Sequence, residues 1–421
     1  MNIVNLISKK QRGKALTETE INWFVHSVNN KSLADYQVSA FLMAVWFQGM
    51  NSKELFCLTK AMVKSGESLH FNHHSKLSVD KHSTGGIGDK VSIALIPILT
   101  ALDYSVAKLS GRGLGYTGGT IDKLEAVGVK TDFTPTEAQN LLDQNDCFII
   151  GQSEGIVPVD KVLYALRDTT ATVDSLPLIA SSVMSKKLAI NNDYIFIDLK
   201  YGKGAFCKTK TMAKELAQYM YSIAKQFKRK LYIKLSDMNQ VLGKTIGNAL
   251  EVLEVVHFLK RNWTEVGADF IQLMEQIVTE ILIETKRAPN KRAAVALYHA
   301  TLEGEKPWQR FLKFIELQGS SRERFLDLKE LFNPQYKAPV LASQSGTLSY
   351  TSPVDLAMVS ISLGAGRMVK TDLIDPMAGI KLVKQANEVV KAGDTVLELY
   401  SSKPITPAHI EAAQHTIIIK Q

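Results

Sequence analysis

Ser105-Val106-Ala107-Lys108-Leu109 runs without a break into Ser110-Gly111-Arg112-Gly113-Leu114-Gly115-Tyr116-Thr117-Gly118-Gly119-Thr120, and the reading of this stretch decides the fold. A short, mostly apolar run that ends abruptly in glycine and hydroxyl residues reads as a buried strand delivering the chain to a loop. A second junction lies upstream, where Asp80-Lys81-His82-Ser83-Thr84-Gly85-Gly86-Ile87-Gly88-Asp89-Lys90 leads into an apolar helix over 91–102. Small residues ahead of a helix N-terminus expose backbone N–H groups to an anion, and the helix dipole favours its charge. Two such loops at strand C-terminal ends are expected to converge on one phosphate group.

Working outward, strands are predicted over 105–109, 148–150, 194–199 and 230–235, with helical stretches between them, notably 209–227 after Gly202-Lys203-Gly204. This alternation predicts a mainly parallel sheet covered on both faces. Before it, Thr17-Glu18-Thr19-Glu20 is a capping box, followed by Ile21, Phe24, Val25 and Val28 at helical spacing. Apolar helices follow over 35–48 and 52–65, the latter ending at Gly66, and 158–188 reads as helical. The stretch 286–292 reads as a loop and 320–329 as the approach to a boundary. Beyond Pro339, short β-like runs and glycine turns take over. The fold class is therefore α/β: a helical domain plus a larger mainly parallel α/β domain, with a C-terminal α+β domain. The helical domain is expected over 1–66, rejoined by about 158–190. The α/β domain is expected over 75–157 and 191–330, and the C-terminal domain over 339–421.

The 421 residues are 45% hydrophobic and 22% charged, which excludes a mostly disordered chain. The formal charge of +8 is scattered and suits an anionic partner, a small phosphate-bearing ligand as well as a nucleic acid. Aromatic residues interleaved on a basic face are missing, which disfavours nucleic acid. Three cysteines at no metal-ligand spacing disfavour a disulfide scaffold and a zinc ribbon. The longest apolar runs, 38–47 and 91–102, fall short of the roughly 18–20 residues a membrane span needs. The first ten residues lack an uninterrupted signal-peptide core. A cytoplasmic protein with no membrane partner is expected.

Gly113-x-Gly115-x-x-Gly118 matches a dinucleotide fingerprint literally, but Gly118-Gly119 prolongs the loop where the helix should already have opened. Gly243-Lys244-Thr245 lacks the glycine of a Walker A loop at Met238. A third constellation is Tyr164-Ala165-Leu166-Arg167-Asp168 followed by Ile179-Ala180-Ser181-Ser182-Val183-Met184-Ser185-Lys186-Lys187. On a helix, Ser182 and Lys186 stand four apart on one face. With Arg167 they suit a planar ligand bearing two carbonyl oxygens and an N–H; a plain amphipathic helix with solvated lysines is the competing reading.

Taken together, Lys81 to Gly86, Ser110 to Thr120, Ala165 to Asp168, Ser182 to Lys187, Asp237-Met238-Asn239-Gln240 and the late Leu363-Gly364-Ala365-Gly366-Arg367 resemble the thymidine/pyrimidine-nucleoside phosphorylase family over nearly the whole chain. The resemblance implies reversible phosphorolysis of a pyrimidine nucleoside to free base and a (deoxy)ribose 1-phosphate. It implies a homodimer, with inorganic phosphate as co-substrate and no organic cofactor. It assigns phosphate to Lys81, His82, Ser83, Ser92, Lys108, Leu109, Ser110 and Thr120. It assigns the base to Arg167, Ser182 and Lys186, with His82, Arg167 and Lys186 as the catalytic set. Substitution of Arg167 or Lys186 by alanine is expected to abolish turnover and leave the fold intact, and closure of two domains over substrate is expected. Bacterial relatives hold a monovalent cation where this chain has Gly88, Leu242, Thr245 and Glu254. Lys90 stands here in place of a small residue, and its ammonium is expected to take the place of potassium beside Glu254. An anthranilate-type phosphoribosyltransferase and a non-catalytic nucleoside-binding protein are the alternatives; the first needs magnesium, for which no clear acidic pair is seen.

Overall fold

The computed structural model describes residues 1–113, 115–116, 118–151, 155–367 and 372–420, and divides into two compact units. Leu114 and Thr117 of the second glycine loop lie outside the described residues.

Unit one comprises Met1–Asn72, Gln152–Ile195 and Lys210–Ile233. Its helices are Ile3–Gln11, Glu18–Asn29, Asp35–Gln48, Ser52–Lys64, Pro158–Thr169, Leu176–Leu188 and Lys210–Gln226. The Thr17 capping box forms: Glu20 N donates to Thr17 Oγ1 at 3.3 Å and Thr17 N to Glu20 Oε2 at 2.7 Å. The helix Ile3–Gln11 has no counterpart in the sequence reading, because only Ile3, Leu6 and Lys10 of it are buried. Tertiary contacts hold it, since Lys10 Nζ reaches the buried Glu54 Oε1 at 2.8 Å. The core stacks Phe24 on Phe41 with ring centroids 4.0 Å apart, beside Val45, Leu55 and Leu58. The stretch expected as one helical region over 158–188 is two helices. Arg167 causes the break, its guanidinium donating to the carbonyls of Thr172, Val173 and Leu178 and so holding the intervening turn closed.

Unit two comprises His73–Gly151, Phe196–Thr209 and Lys234–Gln421. Strands Val106–Ser110 and Cys147–Gly151 pair in parallel, and a parallel bridge Ser78–Ser105 leads to a sheet ordered Val79–Ser83, Tyr194–Tyr201, Lys230–Asp237. All four predicted strands are present. The strand Val79–Ser83 is an addition to them, since its sequence Val-Asp-Lys-His-Ser reads as loop and carries no apolar alternation even though Asp80 and Lys81 are buried. Every residue of helix Val91–Ala101 is buried, which explains its unbroken apolar sequence. It packs against helices Lys306–Leu317, Asn248–Leu259 and Ala268–Glu284.

The C-terminal segment forms antiparallel sheets, as α+β texture requires. One is ordered Thr245–Gly247, Gly379–Leu382, Thr395–Ser401, Tyr336–Leu341; the other Val389–Val390, Gly346–Tyr350, Ile417–Lys420. Its first strand is thus borrowed from the middle of the chain, and its strand at Tyr336 starts before Pro339. No helix among the described residues is long and apolar enough to cross a membrane.

Candidate active site

In unit two, the strand Val79–Ser83 carries Lys81 and Ser83, and strand alternation sends the half-buried His82 to the opposite side. Lys81 Nζ is buried 3.5 Å from Asp198 Oδ2, which also holds Lys200 Nζ at 2.8 Å, while Asp198 Oδ1 accepts from Ser236 Oγ. The loop after the strand is fixed on both sides. Thr84 N donates to Asp198 O at 3.1 Å, and Lys200 N to Thr84 Oγ1 at 2.9 Å. Ser83 Oγ donates to Asp89 Oδ2, and Val91 N, at the start of the buried helix, to Asp89 Oδ1 at 3.2 Å. Burial works to raise the Asp89 carboxyl, but Lys200, Lys81 and Lys123 outweigh it and hold the group far below the usual carboxylate range. Burial likewise works to lower the Lys200 ammonium, and Asp198 and Asp89 reverse the balance and raise it. The result is a buried cluster of lysines gathered around Asp198 and Asp89.

Lys108, from the neighbouring strand Val106–Ser110, donates to Lys81 O and so ties the strands that lead into the two glycine loops together. Leu109 and Ser110 close that strand, Ser92 lies in the first turn of helix Val91–Ala101, and Thr120 opens helix Thr120–Ala126. Ser83, Leu109, Ser110, Ser92 and Thr120 thus stand at strand ends or helix starts of one unit, where main-chain N–H groups are available, while Lys81 and Lys108 sit at the middle of their strands. Asp198, Lys200, Ser236 and Asp89 are the members the sequence reading missed. Nothing in one dimension pairs residue 81 with residue 198.

The base set belongs to unit one. Ser182 and Lys186 share a face of helix Leu176–Leu188, as their spacing predicts, and Asp160 in the first turn of helix Pro158–Thr169 receives Lys186 Nζ at 2.8 Å. Arg167 is buried, with Nε, Nη1 and Nη2 donating to Thr172 O, Leu178 O and Val173 O. Burial lowers the pKa of its guanidinium. Arg167 thus builds the turn as well as offering its remaining N–H groups. Removing it would take one donor from each of three carbonyls, of which Leu178 O keeps Ser181 Oγ and Thr172 O keeps Ser175 N, so an alanine variant is expected to hold the fold at a cost in stability.

Lys90 makes a closed set. Its Nζ lies 2.6 Å from Glu254 Oε2, 3.0 Å from Leu242 O, and 3.2 and 3.4 Å from Thr245 Oγ1 and Thr245 O. Glu254 also accepts from Lys244 N, Gly267 N and Thr245 Oγ1. Gly88, with φ +76°, passes so close that an added Cβ would stand 2.4 Å from Leu242 O.

Three family models match in order along the chain: the glycosyl transferase family helical bundle domain over residues 4–66, the glycosyl transferase family a/b domain over 75–304, and the pyrimidine nucleoside phosphorylase C-terminal domain over 347–420. The chain is 67% identical over its full length, and that of the relative, to the thymidine phosphorylase of Mycoplasma genitalium. The chain belongs to the thymidine/pyrimidine-nucleoside phosphorylase family. Other members of this phosphorylase family are the Mycoplasmoides pirum thymidine phosphorylase, 50% identical over all of both chains, and the Bacillus subtilis pyrimidine-nucleoside phosphorylase, 42% identical over 96% of this chain and 93% of its own. Among solved structures, anthranilate phosphoribosyltransferase from Thermus thermophilus is similar at a TM-score of 0.59 and 14% identity, covering 74% of this chain and 99% of its own. At that identity the phosphorylase fold is what is shared.

Proposed function

We propose that the chain is a thymidine phosphorylase, catalysing reversible phosphorolysis of thymidine to thymine and 2-deoxy-α-D-ribose 1-phosphate. The observation that carries the reading is full-length 67% identity to a thymidine phosphorylase, and the intact anion and base residues support it. Phosphate is held by the Lys81, Ser83, Ser92, Lys108, Ser110 and Thr120 set, with backbone of His82 and Leu109. As the C1′–N1 bond lengthens, positive charge builds at C1′ and the bonding pair passes to the pyrimidine, spreading over O2 and O4. A phosphate oxygen then forms the new C1′–O bond with inversion, and the base leaves as an anion that takes up one proton. Arg167 and Lys186 stabilise the pyrimidine charge, with Ser182 orienting the ring and His82 completing the catalytic set. A preorganised donor at such a charge is worth about 3–4 kcal/mol. Asp160 keeps Lys186 aimed until the base draws its charge away.

The donor set of Leu242, Thr245 and Glu254 does not fit a potassium ion in this chain, because the Lys90 ammonium lies within 2.6–3.4 Å of all of its members. We assign Lys90 the ion's role: a covalently attached cation joining the first loop to helix Asn248–Leu259. The proposal extends to a cytoplasmic homodimer, with both units closing to serve one nucleoside.

The test is base release from thymidine, deoxyuridine and uridine, with and without phosphate. Thymine release that needs phosphate and yields the sugar phosphate is expected; release at equal rate without phosphate refutes the reading. The 42% identity to a pyrimidine-nucleoside phosphorylase supports a broader specificity as the second reading, and turnover of uridine at a comparable rate would favour it.

A further inference from the structure

The motif Leu363-Gly364-Ala365-Gly366-Arg367 has no part in the chemistry proposed above, yet its last residue reaches the second glycine loop. Both Arg367 Nη1 and Nη2 donate to Asp122 Oδ1 at 3.2 Å across 245 residues of sequence. Asp122 is only 4% exposed and Arg367 30%. The other oxygen, Asp122 Oδ2, accepts from Gly113 N at 2.6 Å, and Arg112 Nη1 lies 3.4 Å from Oδ1 while gripping Glu125 at 2.5 Å. One carboxylate therefore pins the start of the loop to the helix that Thr120 opens. The loop crosses itself tightly there, since a Cβ on Gly119 would stand 2.1 Å from Gly113 N.

The Arg367 end is equally well anchored. Asn248 Nδ2 donates to Ala365 O at 2.8 Å, Asp375 N to Gly364 O at 2.9 Å, and Ser401 Oγ to Leu363 O at 3.1 Å. Gly364 has φ +112°, a conformation a side chain would strain. An anchored segment thus presents a guanidinium to the acid that holds Gly113 N.

We propose that Arg367 and Asp122 are positioning residues for phosphate: the C-terminal segment braces the Ser110–Thr120 anion loop through this pair, so that phosphate affinity depends on a residue that does not touch phosphate. The proposal rests on the phosphorolysis reading. It predicts a split between substrates. In Arg367→Ala the KM for phosphate rises about five- to tenfold, the KM for thymidine changes by less than about twofold, and the melting temperature stays near the parent's, as suits a partly exposed pair. Arg367→Lys restores most of the phosphate affinity. Asp122→Asn, which keeps an acceptor for Gly113 N, raises the phosphate KM to a similar extent. The double variant adds less than about twofold to either single change, because both remove one interaction.

Unchanged phosphate KM in both single variants overturns the brace, and so does a parallel rise in both KM values with a lowered melting temperature. A titration of melting temperature with inorganic phosphate serves as a second measurement that needs no turnover. There the half-saturating phosphate concentration moves up about five- to tenfold in Arg367→Ala, and no movement overturns the brace. A parent enzyme that releases no base in phosphate defeats the reading of the previous section, while the titration still decides the brace.

Discussion

Replacing Lys90 by alanine tests the internal cation most directly. Both Lys90 and Glu254 are 0% exposed, and their 2.6 Å contact is the shortest of four that the ammonium makes. Removing one partner of a buried pair costs about 3–5 kcal/mol, because the other charge is left uncompensated. Glu254 keeps N–H donors from Lys244 and Gly267 and the Thr245 hydroxyl, so the low end, about 3 kcal/mol, applies. At about 2 °C per kcal/mol for a large domain, the melting temperature falls by about 6 °C. The vacated donors are hard oxygens around a carboxylate, suited to a monovalent ion. At a hundredfold excess over its dissociation constant such an ion returns about 2.7 kcal/mol, nearly the whole loss. The assay is thermal melting of parent and variant in potassium chloride and in choline chloride at equal ionic strength. The variant is expected to melt low in choline and to recover in potassium, with the parent indifferent. A parent that gains as much from potassium as the variant, or a variant as stable as the parent in choline, refutes the reasoning.

Other outcomes follow from the same geometry. Lys186→Ala should lower kcat on thymidine by about 10²–10³ at a near-parental melting temperature, since its pair with Asp160 is partly exposed; a near-normal rate removes Lys186 from the site. Arg167→Ala should lose turnover and also melt lower, because three carbonyls each lose one donor; loss of activity without loss of stability would contradict the structural half of its role. Lys81→Ala should raise the phosphate KM about tenfold or more, the value of a charge-assisted hydrogen bond, while Asp198 remains neutralised by Lys200; an unchanged phosphate saturation curve counts against the loop assignment. Asp89 has a folded pKa depressed below its ordinary 3.8, so its stabilisation is present above that value and is lost as pH falls beneath it. Denaturant stability of Asp89→Asn relative to the parent should therefore differ fully at pH 6, begin to narrow below about pH 4 and go on narrowing as pH falls toward the depressed folded value; a constant difference down to pH 3 would show that the lysine cluster does not act through this carboxylate.

Local signals make much of this protein legible in one dimension. The Thr17 capping box, the helix over 35–48, the four predicted strands and the i,i+4 placement of Ser182 and Lys186 are all written within a turn or two of sequence, and backbone geometry obliges them to appear where they do. Lys90 stands out as misplaced for a small-residue position, with Glu254 as its partner. By contrast, the strand Val79–Ser83 carries buried charge in place of apolar alternation, and Asp198, itself held by Lys200 and Ser236, is brought from far along the chain to meet the buried Lys81. The break between helices Pro158–Thr169 and Leu176–Leu188, Asp160 against Lys186, and Arg367 against Asp122 are decided the same way. Sequence spacing dictates which face or terminus a side chain occupies, because that is a property of one element's geometry. Which charge meets which is settled only when separate elements pack, because a buried ion must find its counter-ion wherever the fold delivers it.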